Sequence, residues 1–185
     1  MKYRLLSLCG MFICLTIVSC TDRQKVKSLM IDFMESQIVI PNDLELIYEG
    51  KVSKSDLTSL KPNKFIIYYD SLDCSSCRIS HLVENYPLYE MADSCGFSLI
   101  TIFSPRANEV EDVRLQLMLT HSPILIYLDA NASFRRQNSS IPSDMRFHNF
   151  YVGHDNHPAF VGNPLASDEL YELFKKALIQ PNSNN

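Results

Sequence analysis

The feature that most constrains this chain is an apolar run followed closely by two cysteines. Residues 65–69 read Phe-Ile-Ile-Tyr-Tyr, and after four more residues come Cys74 and Cys77, separated by two serines. An unbroken β-favouring run of this kind predicts a strand covered on both faces. Residues 78–86 can form a helix, so the sequence predicts two thiols at the start of a helix that follows a buried strand.

Strands and helices continue to alternate after the cysteines. Asn108, with Glu111 three residues later, predicts a capping box, and Ser167 is expected to cap a last helix whose inward side includes Leu173. The other predicted elements are a helix resumed at 88–94 after Pro87 and stopped by Gly96, strands at 97–103 and 123–128, a helix to about residue 120, and a hairpin of 147–152 with 158–161. Helical crossovers make strands parallel and a hairpin makes them antiparallel, so the fold class predicted is α/β with a central mixed β-sheet.

The N-terminus reads as a targeting segment. Lys2 and Arg4 precede an apolar stretch at 5–18, which is too short to span a bilayer comfortably. The following Ile-Val-Ser-Cys, ending at Cys20, resembles the lipobox of bacterial lipoproteins. That resemblance implies cleavage before Cys20 and a membrane anchor through lipid on its thiol, since two or more acyl chains hold a protein at a bilayer. An uncleaved anchor or an ordinary secretory peptide is the alternative.

The expected organisation has four parts. These are a lipoprotein signal peptide at 1–19, a tether and N-terminal extension at 20–63 with a short helix and extended pieces at 38–41 and 44–48, a main domain at 64–180, and a disordered tail at 181–185. The formal net charge of −4 gives no reason to expect a nucleic-acid partner.

Three thiols remain once the signal peptide is removed and Cys20 is acylated. They are Cys74, Cys77 and Cys95, in an oxidising compartment where paired cysteines persist as disulfides. Cys95 stands beside Gly96 at the end of a helical stretch, and we expect it to be a buried small residue.

The strand that leads into Cys74-Ser75-Ser76-Cys77, with the elements after it, resembles the thioredoxin superfamily. The resemblance covers residues 64–180 and is closest to the TlpA-like, membrane-tethered thiol–disulfide oxidoreductases. It implies a thioredoxin-like fold with an N-terminal helical extension, protein thiols and disulfides as substrates, no cofactor, and a lipid-anchored place in the bacterial envelope facing the periplasm. The cis-proline of such folds aligns at or near Phe147, which puts His148 in the loop that would face the disulfide; an ordinary strand histidine is the alternative.

The chemistry of the pair follows from its place at a helix start. Free backbone N–H groups and the helix dipole stabilise a thiolate there, so Cys74 is the expected nucleophile and Cys77 the resolving thiol. Asp73 should oppose thiolate formation and Arg78 should favour it. We therefore expect a fairly reducing couple that serves as a reductant of protein disulfides.

Other readings of the cysteines remain open. The pair could form a structural disulfide in a non-catalytic thioredoxin-fold lipoprotein that acts as a binding module. A zinc site needs about four ligands, and His81 is the nearest histidine, so no metal is predicted. Ser71 faintly resembles part of a peroxidase pattern, but Ile67 occupies the place where that pattern wants proline, so peroxidase activity is not expected.

Overall fold

The chain folds around one seven-stranded mixed sheet, as seen in a computed structural model that describes residues 23–179. The expected signal peptide, Cys20 and the tail at 181–185 lie outside the described residues. The strands are β1 (Glu45–Tyr48), β2 (Lys51–Lys54), β3 (Lys64–Tyr69), β4 (Ser98–Phe103), β5 (Leu125–Leu128), β6 (Asn149–Val152) and β7 (Pro158–Val161). The helices are α1 (residues 23–34), α2 (Ser75–Ser80), α3 (Tyr86–Cys95), α4 (Val110–Leu119), α5 (Ser133–Gln137) and α6 (Asp168–Ile179).

The strand order across the sheet is β2-β1-β5-β4-β3-β6-β7. The three strands joined by helical crossovers, β3, β4 and β5, are parallel, whereas β1, β2, β6 and β7 pair antiparallel with their neighbours. The predicted central mixed sheet and the predicted hairpin of β6 with β7 are therefore confirmed.

Alternation along β3 sends its side chains into cores on both faces of the sheet. Ile66 and Tyr68 pack with Phe33 of α1 on one face, and Phe65 and Ile67 pack on the other with the helices α3 and α6. All four of these strand side chains are buried, which confirms that the apolar run is a strand covered on both faces.

Part of the N-terminal extension belongs to this sheet. Ile47 of β1 lies opposite Ile126 of β5, and the ring of Phe33 meets that of Phe150 edge-on with centroids 5.1 Å apart. The extended piece expected at 38–41 joins no ladder of the sheet, and Ile38 is buried in the core.

The region after the cysteines differs from the helix expected at 78–86. The helix α2 ends at Ser80, a 3₁₀ turn follows at Leu82–Asn85, and α3 begins at Tyr86. Pro87 lies in the first turn of α3, where backbone N–H groups have no acceptor within the helix, so a proline is tolerated there. Pro87 therefore stands at the start of α3 and does not interrupt it. Gly96 ends α3 with a left-handed φ of 75°, as its position after the helix predicts.

Three local expectations are wrong. The capping box at Asn108 does not form, since α4 begins at Val110 and its N-cap, Glu109, makes no side-chain cap bond. Cys95 is an exposed free thiol rather than a buried small residue, because it lies on the solvent side of the last turn of α3. Leu173 is 47% exposed and does not face inward. Ser167 does cap α6, accepting the Leu170 N–H at 3.2 Å.

Within residues 23–179, no helix has the length and apolar character required to cross a bilayer.

Candidate redox site

The two cysteines stand at the edge of the sheet where the parallel strands end. Cys74 follows β3 and is the N-cap of α2, and its Sγ accepts the backbone N–H of Cys77 at 3.3 Å. The two residues are joined by a disulfide, with their Cα atoms 5.3 Å apart. Both are exposed to solvent. The disulfide therefore lies at the surface of the protein.

Cys74 opens onto a groove of about 350 Å³ between its own loop and the start of α4. Leu72 stands 70% exposed beside it on the loop, and Arg106, Glu109 and Asp112 line the facing wall. The Nε–H of Arg106 donates to the carbonyl of Ser71 at 3.2 Å, which ties the two walls together.

Asp73 and Arg78 are joined to each other. The Nε–H and Nη2–H of Arg78 donate to one carboxylate oxygen of Asp73 at 3.1 and 2.9 Å. The Asp73 side chain is only 3% exposed, and the guanidinium lies 5.4 Å from the ring centroid of Tyr69. The sequence-based expectation treated the two as separate charges on the thiolate; the structure makes them one ion pair next to Cys74.

Neither His148 nor Phe147 lines the groove. His148 is 2% exposed; its Nε2 is 3.0 Å from the carbonyl of Pro142, and its ring centroid is 5.1 Å from that of Tyr68. It lines a separate small cavity of about 120 Å³ that also contains Asp73 and Arg78. Phe147 is buried in the hydrophobic core. Among residues 23–179, every peptide bond is trans, including those around Phe147.

The buried carboxylate of Asp129 lies at the same edge of the sheet and was not predicted from the sequence. Asp129 follows β5 and is 1% exposed. One oxygen accepts the N–H and hydroxyl of Ser133 at 2.8 and 2.9 Å, and the other accepts the Ser104 hydroxyl at 2.8 Å and the Phe134 N–H at 3.0 Å. Asp129 thus fastens the start of α5 to the ends of β4 and β5. An aspartate placed directly after a buried parallel strand was the available signal in the sequence.

Tyr68 and Tyr127, two buried tyrosines of the hydrophobic core, keep their protons at neutral pH. Burial raises the pKa of Tyr68 to about 12, with a smaller opposing effect from its hydrogen bond with Ser104. Burial likewise raises the pKa of Tyr127 to about 12. Within the described part of the chain, the Tyr127 hydroxyl is buried and has no hydrogen-bond partner.

His81 lines the same small cavity as Asp73, Arg78 and His148. His81 is exposed and its Nδ1 is 2.7 Å from a carboxylate oxygen of Glu84. Between residues 23 and 179, no three histidine, cysteine, aspartate or glutamate side chains cluster as metal ligands.

Comparisons with known proteins relate the chain to solved structures. No family profile and no curated protein sequence matches it. Enterococcus faecalis AhpC aligns with a TM-score of 0.50 and 10% identity, covering 80% of this chain and 95% of that one. The fold is thioredoxin-like.

Two further solved structures align with lower TM-scores. A Chlorobium tepidum protein provisionally assigned as the thiol:disulfide interchange protein DsbE aligns with a TM-score of 0.49 and 12% identity, covering 78% of this chain and 98% of that one. The thioredoxin domain of a thiol-disulfide oxidoreductase from Bacteroides vulgatus aligns with a TM-score of 0.45 and 16% identity, covering 77% and 98%.

Proposed function

We propose that this protein is a thiol–disulfide oxidoreductase of the bacterial envelope, anchored by lipid on Cys20, that reduces disulfides in protein substrates. The observation that carries the proposal is the exposed Cys74–Cys77 disulfide at the mouth of the groove. A disulfide placed only for stability gains nothing from exposure, whereas exchange requires an attacking sulfur to reach the bond.

The reaction begins from the reduced pair. The Cys74 thiolate attacks a substrate disulfide, forms a mixed disulfide and releases one substrate thiolate. Cys77 then gives up its proton to solvent and attacks the Cys74 sulfur, which re-forms the Cys74–Cys77 bond and releases the second substrate thiolate. Two electrons pass from the pair to the substrate, and a dithiol donor in the envelope must return them.

The surroundings of Cys74 favour a reducing couple. A dithiol protein becomes a strong oxidant when its reduced form is stabilised. Here the Asp73–Arg78 ion pair presents a dipole instead of a free cation, and α2 contains only six residues. In the disulfide form, the Cys74 Sγ accepts the Cys77 N–H at 3.3 Å. Because no free cation adds to that donor, the thiolate gains little stabilisation, which favours a stable disulfide and a low potential.

An insulin-reduction assay on the full-length protein in detergent, with dithiothreitol as donor, tests the proposal. Wild type is expected to accelerate insulin precipitation, and Cys74→Ser is expected to abolish the acceleration. Cys95→Ser is the matched control, because it removes another exposed thiol and is expected to retain full activity. Equal rates for wild type and Cys74→Ser would instead support the binding module with a structural disulfide.

The anchor is tested separately by mass spectrometry of protein extracted from membranes. The expected mass corresponds to a chain that begins at Cys20 and carries acyl groups. A chain that keeps residues 1–19 would overturn the lipid anchor and leave the redox proposal standing.

A further inference from the structure

The first two turns of α1 take no part in the core. Every side chain from residue 23 to residue 29 is exposed, and the first buried residue of the helix is Phe33. Val26 and Leu29 precede Phe33 by seven and four residues, so they continue the apolar stripe with which Met30 and Phe33 pack on the sheet. Val26 and Leu29 are 37% and 39% exposed, so this half of the stripe is uncovered.

The charges of α1 divide at the same point. Arg23, Lys25 and Lys27 lie in the exposed half, whose described residues, 23–29, include no acidic side chain. The acids Asp32 and Glu35 follow in and just after the half that packs on the sheet. A helical segment that combines an apolar stripe with basic flanks fits the surface of an anionic bilayer. An acidic protein partner would match the charges but would not account for their confinement to this end of the helix.

The length of chain before α1 decides what can cover the stripe. The described part of α1 starts at residue 23, three positions after Cys20, and three residues span at most about 10 Å in any conformation. If the acyl chains on Cys20 lie in the bilayer, residue 23 is held close to the headgroups.

We propose that the exposed apolar stripe of α1, Val26 and Leu29, docks in the headgroup region of the bilayer, with Lys25 and Lys27 against anionic lipid phosphates. The proposal rests on the lipid anchor of the proposed function. Docking would fix the orientation of the domain on the membrane instead of leaving it on a flexible tether.

A tryptophan reporter tests the docking, because the chain contains no tryptophan. The full-length Leu29→Trp protein is purified from membranes, its acylation is checked by mass, and it is reconstituted in vesicles of phosphatidylethanolamine with a minority of phosphatidylglycerol. A parallel set carries bromine, a contact quencher, on the acyl chains. Since an interfacial helix sits roughly 5–10 Å into the headgroup boundary, the emission is expected to move to shorter wavelength and to lose roughly half its intensity in the brominated set.

Leu173→Trp is the matched control. Leu173 is also an exposed leucine on a helix, but α6 packs on the opposite face of the sheet from α1. Its emission is expected to remain that of a water-exposed tryptophan in both sets. Replacing Lys25 and Lys27 by glutamine is expected to weaken the quenching of Leu29→Trp in vesicles with phosphatidylglycerol and not in vesicles without it.

Three outcomes would overturn the docking. Acylated Leu29→Trp with equal emission in both vesicle sets would show the stripe free in water, with the anchor intact. A shift to shorter wavelength without bromine quenching would show that a second copy of the chain covers the stripe. A chain without acyl groups that is also unquenched would remove the anchor and the docking together; quenching without acyl groups would support docking and overturn only the anchor.

Discussion

Arg78 donates two N–H groups, at 3.1 and 2.9 Å, to one carboxylate oxygen of Asp73, the residue immediately before Cys74. The pair places opposite charges next to the disulfide, and its acidic member is almost wholly buried. Because each charge offsets the other, removing either one should change how readily Cys74 forms a thiolate.

Asp73→Asn is expected to raise the reduction potential of the Cys74–Cys77 pair. The substitution leaves the Arg78 cation uncompensated near the sulfur, which stabilises the reduced thiolate form. A rise of about 30 mV corresponds to about 1.4 kcal/mol for a two-electron couple. Arg78→Gln should lower the potential by a similar amount, because a buried carboxylate then stands alone beside Cys74. Equilibration against glutathione, followed by alkylation and mass spectrometry, measures both; shifts in the same direction would contradict the ion-pair account.

Asp129→Ala is expected to destabilise the protein by about 3 kcal/mol. The carboxylate accepts four hydrogen bonds in the interior, and its removal leaves the Ser104 hydroxyl and the donors at the start of α5 without their acceptor. Urea unfolding with the disulfide intact measures the loss. Asp112→Ala is the control: Asp112 is exposed and its carboxylate accepts a surface hydrogen bond from Gln116 Nε2, so the loss of stability should stay within about 0.5 kcal/mol. Equal losses for the two variants would refute the role assigned to Asp129.

Two tyrosine-to-phenylalanine variants are expected to have opposite effects at neutral pH. Tyr127→Phe removes a buried hydroxyl that lacks a partner within the described residues and should stabilise the protein by about 1 kcal/mol. Tyr68→Phe removes a hydroxyl that is hydrogen-bonded with Ser104 and should cost about 1 kcal/mol. The midpoint of urea unfolding measures both changes. Shifts in the same direction for the two variants would contradict the prediction.

Stability is expected to fall as the pH rises from about 10 to about 12. Burial raises the pKa of both Tyr68 and Tyr127 to about 12 in the folded protein, so over this range the unfolded chain loses protons that the folded chain retains. Deprotonation then favours unfolding, and each tyrosine can account for about 2 kcal/mol. Denaturant unfolding across this range should show a smaller fall in Tyr68→Phe than in wild type; an identical fall would mean that other groups control it.

The sequence predicted the centre of the fold because its signals there are local. The apolar run at 65–69, the hairpin of β6 with β7 and the stop at Gly96 each follow from a few neighbouring residues. The pairing of β1 with β5 joins Ile47 to Ile126, and no short pattern specifies a partner so distant in the chain. For the same reason, the extended piece expected at 44–48 could be found from the sequence, but its place in the sheet as β1 could not.

The cysteine pair could be located from the sequence, but its surroundings could not. The spacing of Cys74 and Cys77 indicated a disulfide at a helix start, and the disulfide is present. The Asp73–Arg78 pairing depends on side-chain orientation across the first turn of α2, and the exposure of Cys95 depends on which side of α3 faces the sheet. Spacing alone does not give either result, because both are set by tertiary packing.

The most direct test of the account asks whether Cys74 is the sulfur that attacks. Full-length Cys77→Ser, reduced and then mixed with a peptide that contains a single disulfide, is expected to form a stable mixed disulfide, since no resolving thiol remains. Peptide mapping by mass spectrometry should place the linkage on Cys74. A linkage on Cys95 alone, or no adduct under conditions in which a free thiol reagent labels Cys74, would contradict the central claim.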